Sequence, residues 1–308
     1  MSRNLATLIG LSAILMWASL VGVIKYISLL IDSSLAITLI YTLSAILVII
    51  FFKFPNFNEI PKNYLMLSSV LFVSYELCFS FAIALSNNSQ QAIEVSIVHY
   101  LWPSFTVLAF IAFKEIKFNP FIVVGLAVSL FGIIFIQAGS GELTISGLIE
   151  NFNSNPLSYI LALSGAIIWS LYCVVTKKMS RGYNPISILF LSVSIILWIK
   201  LGASHELIMP SINLNIICIL LLASGAMGFG YAAWNIGILN GNIAIMVVAS
   251  YFTPVISSVI AMFVLNAKLS ATFWQGTAMV TIGSLICWIS TNWIAIRPLL
   301  GRLIKNNL

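Results

Sequence analysis

The chain has 308 residues, of which 61% are hydrophobic and 7% charged, with a mean hydropathy of +1.09. A soluble domain carries about 25% charged residues, so this composition excludes a soluble globular protein and implies a polytopic membrane protein. The net charge of +6 would suggest nucleic acid in a soluble protein; here it is read as basic loops on one membrane face, and no nucleic-acid partner is expected.

A span needs about 20 apolar residues to cross about 30 Å of hydrocarbon. By that measure ten spans follow in chain order, at 5–28, 34–52, 63–86, 91–113, 119–137, 157–177, 185–200, 213–238, 243–266 and 271–292. The first has one preceding Arg and an apolar run too long for a cleaved signal, so it is read as a span. The joins carry turn chemistry, as in PNFNEIPKN, SNNSQQ, KEIKFNP, RGYNP and NGN. One connection, 138–156, is long and polar.

With the N-terminus placed inside, Arg3, Lys53, Lys62, Lys114, Lys117, Lys177, Lys178, Arg181, Arg297, Arg302 and Lys305 fall inside. Lys25, Lys200 and Lys268 fall outside. Eleven against three sets the expected orientation, with both termini cytoplasmic. The four cysteines, Cys78, Cys173, Cys218 and Cys287, all lie in apolar segments with no C-x-x-C pair. No metal or other cofactor is expected.

The two halves repeat. YLWPSFTVL (100–108) aligns with YFTPVISSV (251–259) at an offset of 151. That offset pairs Tyr100 with Tyr251, Pro103 with Pro254, Lys117 with Lys268, Gly125 with Gly276 and Gly132 with Gly283. The first and sixth spans match at 152, which pairs Trp17 with Trp169 and Lys25 with Lys177. The expected fold is therefore all-α, with ten transmembrane helices as two inverted five-helix repeats, residues 1–150 and 151–308. Five is odd, so the second copy enters from the opposite face, a build that suits alternating access.

Candidate site residues lie mostly within the spans. In EVSIVHYLWPSFTVLAF (94–110), Ser96, His99, Pro103 and Thr106 share one helical stripe with Tyr100 at its border. Ser250, Tyr251, Pro254 and Ser257 hold the corresponding places in the ninth span. Polar stripes facing hydrocarbon are costly, so each is expected to face protein or a water-filled cavity. Each Pro also frees a carbonyl one turn earlier.

Trp198, Trp274, Trp288 and Trp293 lie near span ends and suit the interfacial belt. Trp17, Trp102 and Trp169 lie too deep for it and either fill the core or line a cavity; the pairing of Trp17 with Trp169 favours the cavity. Tyr75, Tyr172, Tyr231 and Trp234 add to this aromatic set on spans three, six and eight. Glu76, deep in span three, is a functional candidate as an intramembrane acid. It could receive an ammonium group, carry a proton or simply be hydrogen-bonded. His99 could titrate or make a structural hydrogen bond. Lys25, Lys177 and Lys178 can snorkel from span ends. Asn235 is a candidate for a substrate carboxylate or a backbone carbonyl. SGAMGFGYAAWNIG offers a small-residue face for close helix packing.

Ten spans, the 5+5 inverted duplication, and a Pro followed by Gly at +22 and +29 in each half resemble the drug/metabolite transporter superfamily, EamA type. LFVSYELCFS, QAIEVSIVHYLWPS, LSYILALSGAIIWSLYCVVTKK, YAAWNIGILNGN and SYFTPVISS are similar to the bacterial aromatic amino acid exporters of that superfamily, and the resemblance covers nearly the whole chain. It implies an inner-membrane carrier moving Phe, Tyr and Trp outward through a central cavity, with other neutral amino acids and the dication paraquat as further candidates. The expected partners are a small amino acid and the lipid bilayer. An aromatic substrate would stack on Trp17, Trp102, Trp169, Tyr75 or Tyr100, with its ammonium over a ring face or near Glu76. Its carboxylate would need backbone N–H groups, Asn235, or hydroxyls such as those of Tyr100, Tyr251 and Ser250. The resemblance leads one to expect a neutral Asn where this chain has His99.

A multidrug or dication exporter of the same superfamily is the alternative within transport. Small multidrug exporters use a Glu in span one, and residues 5–28 contain no acid. A membrane enzyme would need convergent acids, histidines or metal ligands near an interface; two His and eight scattered acids do not supply them. A non-transporting scaffold would have no need of paired midplane Pro and Trp.

Overall fold

The helices begin where the sequence offers side-chain caps. Ser2, Asp32, Asn88, Asn155 and Asn213 each accept a backbone N–H three residues on, at 2.8 to 3.3 Å. Such caps satisfy N–H groups that a helix start leaves without partners. The computed structural model describes residues 1–114, 118–137, 150, 153–203, 213–241, 249–250, 253–266 and 269–305.

Among the described residues the helices are α1 (Arg3–Leu30), α2 (Ser33–Phe52), α3 (Lys62–Ala84), α4 (Ser89–His99), α5 (Trp102–Ala112) and α6 (Phe121–Gln137). They continue as α7 (Pro156–Met179), α8 (Ile186–Ala203), α9 (Leu214–Asn240), α10 (Thr253–Leu265) and α11 (Ala271–Lys305). Six of them, α1, α2, α3, α7, α8 and α9, are long and apolar enough to cross a membrane. Large apolar side chains such as Ile50, Leu222 and Phe263 point outward and are exposed. That is the surface a bilayer covers, and this is a multi-pass membrane protein.

Two elements depart from the expected spans. The fourth, expected as one helix over 91–113, is two helices of 11 residues joined at Tyr100 and Leu101. Pro103 is the cause: it has no N–H for the carbonyl of His99, and its ring collides with that carbonyl. The chain turns instead, with the Leu101 N–H donating to Val98 O at 3.2 Å. The last helix, expected to end at 292, runs on to Lys305. Pro254 is the second residue of α10, as Pro103 is of α5. The expected Tyr251, Lys117 and Lys268, and most of 138–156, lie outside the described residues.

Contacts tie the two halves of the chain together. Helix α1 packs on α9 and α10, α7 on α3, α4 and α5, α2 on α8 and α9, and α6 on α11. The last pair is drawn together by glycine. A methyl on Gly125 would sit 2.5 Å from the Gly283 carbonyl oxygen, and one on Gly132 would sit 2.6 Å from that of Gly276. Side chains are absent so that backbones can touch. Across the same seam Ser129 Oγ donates to Val280 O at 3.4 Å. Between α2 and α8, the Thr42 and Ser194 hydroxyls pair at 2.9 Å.

Candidate functional site

A narrow aromatic cleft, with a cavity volume of about 30 Å³, opens where α1, α3, α7 and α9 meet the broken fourth span. Trp17 and Leu20 line it from α1, Tyr75 and Phe79 from α3, and His99, Tyr100 and Trp102 from the break. Trp169, Tyr231 and Thr253 complete the lining from α7, α9 and α10. None of these is Lys, Arg, Asp or Glu.

The Trp169 ring is the hub. It lies 4.6 Å from Tyr75, 5.1 Å from Tyr172, 5.8 Å from Tyr231, 6.1 Å from Trp102 and 6.4 Å from Trp17, centroid to centroid. Trp17 also contacts Tyr231 at 5.0 Å and Trp234 at 5.1 Å. Aromatic pairs at such distances add about 0.5–1.5 kcal/mol beyond area burial. Tyr75 and Phe79, one turn apart on α3, present near-parallel rings 6.2 Å apart. His99 lies against both, 5.7 Å from Tyr75 and 4.4 Å from Phe79. The Pro103 break is what sets His99, Tyr100 and Trp102 at one wall, since it ends α4 at His99 and begins α5 at Trp102.

Two lining residues carry buried polar atoms without hydrogen-bond partners: Trp17 at Nε1, and His99 at both Nδ1 and Nε2. An unsatisfied buried polar group costs about 1–3 kcal/mol.

Comparison with known proteins gives this geometry a family. The EamA-like transporter family model matches residues 156–289. The chain is 44% identical to the aromatic amino acid exporter YddG of Escherichia coli, over 94% of this chain and 99% of that one. It is 43% identical to the exporter of the same name from Salmonella typhimurium, with the same coverage. The chain belongs to the EamA-like transporter family, within the drug/metabolite transporter superfamily. A solved structure described only as the crystal structure of a protein matches with a TM-score of 0.67 at 22% identity, over 93% of this chain and 99% of its own, and so shares the fold.

Of the other expected site residues of this EamA-type chain, the described Glu76, Tyr172, Trp234, Asn235 and Ser250 are not part of the lining. Glu76 is fully buried in α3 behind the Tyr75 wall. Its Oε2 accepts from the Tyr41 hydroxyl, which also pairs with Ser80 Oγ at 2.8 Å, while Oε1 has no partner. Close by, the Tyr231 hydroxyl donates to that of Tyr75 at 3.2 Å. Tyr172 backs Trp169, and Trp234 packs behind Trp17 with Ala13 and Ile14. Asn235 donates to the Asn184 side chain at 2.9 Å. Ser250 is buried, and its carbonyl accepts from Thr253 Oγ1. Glu94, midway along α4, accepts from Tyr159 at 3.2 Å.

Leu20, Phe79 and Thr253 line the cleft without having been singled out in the sequence. Helical spacing held the signal for two of them. Leu20 follows Trp17 by three residues and Phe79 follows Tyr75 by four, so each shares its neighbour's face. Among the described residues no three His, Cys, Asp or Glu side chains gather to hold a metal.

Proposed function

We propose that this chain is an amino acid exporter of a bacterial inner membrane, with phenylalanine, tyrosine and tryptophan as its principal substrates. The observation that carries the reading is the uncharged aromatic cleft built around Trp169. Ring faces on several sides accept a flat apolar side chain, and the absence of lining acids disfavours a dication. The names of the relatives at 44% and 43% identity point the same way. Trp17, Tyr75, Tyr100, Trp102, Trp169 and Tyr231 form the stacking walls. Glu76, engaged by Tyr41, serves to hold α3 rather than to touch the substrate. Tyr172 and Trp234 brace the walls, Asn235 and Ser250 stand beside the path, and Pro103 and Pro254 shape the two halves of it.

The reading includes alternating access between two inverted repeats, 1–150 and 151–308, with both termini cytoplasmic. Support comes from the contacts. A two-fold axis in the membrane plane would bring equivalent residues face to face where it passes. Trp17 meets Trp169, Thr42 meets Ser194 and Ser129 meets Val280, all at offsets of 151 or 152. The same axis would make every other contact reciprocal. Gly125 lies on Gly283 and Gly132 lies on Gly276, which is one contact and its image. Inverted repeats that exchange conformations are a known route to alternating access.

The test is counterflow. Proteoliposomes loaded with unlabelled phenylalanine should accumulate labelled phenylalanine, and tyrosine and tryptophan should compete. Viologen flux without phenylalanine exchange would replace the reading with a dication exporter. No flux of either kind in folded protein would leave a scaffold.

A further inference from the structure

Resting on the export reading above, we propose that His99 is the anchor for the substrate carboxylate, its imidazole N–H donating to a carboxylate oxygen. The side chain is only 4% exposed, it lines the cleft, and neither ring nitrogen has a partner within the protein. Buried polar groups are hydrogen-bonded as a rule, so a polar residue left unsatisfied at a cavity wall is one whose partner comes from elsewhere.

Packing sets which edge of the ring is available. The Cδ2 edge is turned to α7, where a methyl on Gly165 would lie 3.6 Å from it. The ring lies against Phe79 and Tyr75 of α3. The edge opposite Cδ2 is Nδ1–Cε1, and its Nδ1 is buried with no partner in the protein.

Three other donors at the wall are already covered or engaged. Trp17 Nε1 is also unpartnered, but it is seated on α9, where a methyl on Gly230 would be 2.8 Å from it. The Tyr231 hydroxyl is engaged by Tyr75 and that of Thr253 by the Ser250 carbonyl. Among the described residues no Lys or Arg lines the cleft. The ammonium end of an amino acid needs no such donor, because the Tyr75 and Trp169 ring faces attract a cation. The carboxylate is the end that requires an N–H. A neutral donor holds it less tightly than an ion pair would, which suits a carrier that must release its cargo. It follows that His99 separates aromatic amino acids from aromatic amines of the same shape.

The experiment compares L-phenylalanine with phenethylamine, which lacks the carboxylate, by tryptophan-fluorescence titration of the purified full-length protein. In His99→Leu, phenylalanine binding should weaken at least about tenfold, as for a lost hydrogen bond to a charged group, and phenethylamine binding by less than about twofold. His99→Asn keeps a neutral donor and should hold phenylalanine within about threefold of the parent protein, since the charge-assisted bond survives. Should His99→Leu not assemble, His99→Ala is read in the same way. Equal weakening of both ligands, no weakening of either, or an Asn variant as poor as Leu would each overturn the anchor. A parent protein that binds neither ligand would instead defeat the export reading and the anchor with it.

Discussion

Two seams in this molecule join segments at nearly the same sequence offset and could hardly differ more in filling. In the α6–α11 seam, glycines face carbonyl oxygens and the backbones touch. In the α1–α7 seam, two tryptophans face each other at 6.4 Å. The first leaves no space between helices. The second props them apart, and the cleft lies beside the prop. The difference teaches that side-chain volume at one or two positions per helix decides whether a helix pair becomes a joint or a chamber.

The strongest way to break that comparison is to fill the tight seam. Gly132→Leu would drive a side chain into the Gly276 carbonyl and the backbone of Val280. Backbone cannot step aside as a flexible side chain can, so a loss of more than about 3 kcal/mol is expected. Size-exclusion chromatography of the solubilised protein should show little or no monodisperse material. Emptying the propped seam should act differently. Trp169→Ala should assemble, yet lower aromatic amino acid counterflow by about tenfold, the equivalent of one or two ring contacts. Native assembly of Gly132→Leu together with collapse of Trp169→Ala would invert the comparison. The smallest effect belongs to the hydroxyl pair. Thr42→Val removes two interhelical hydrogen bonds, with Ser194 and from Trp198 Nε1, for which about 0.6 kcal/mol each is typical in membranes. The melting temperature should fall slightly, with transport unchanged.

Much of this was legible in the chain. The long apolar runs read directly as α1, α2, α3, α7, α8 and α9, because crossing hydrocarbon leaves a helix few alternatives. The aromatic residues of the cleft were legible too, since Trp17, Trp102 and Trp169 lie too deep for an interfacial role. The strength of the break was less so. Pro103 signalled a kink in one helix, whereas the structure has two helices with a turn between them, because the carbonyl freed at His99 coincides with a change of chain direction. Glu76 was read as a possible ligand from depth alone. Its engagement by Tyr41, 35 residues earlier, is a tertiary fact that no spacing rule encodes. Asn235 likewise has its partner far away in the chain, at Asn184 in the connection before α8. Sequence indicates that a polar group in a membrane needs a partner; the fold decides whether that partner is already present.

The glycine seam also bears on history. Under the repeat reading, Gly125 and Gly276 descend from one codon, as do Gly132 and Gly283. In an ancestral assembly of two identical five-helix chains, a single substitution at either codon would have struck the contact twice, once in each subunit. Once duplicated and fused, each copy could change alone, and the damage from any one change was halved. The Trp17–Trp169 and Thr42–Ser194 pairs show the freedom that followed: one pair has stayed identical, the other has drifted to two different alcohols. Under that same reading, fusion would give the cleft two independently adjustable walls where a homodimer would have one wall used twice.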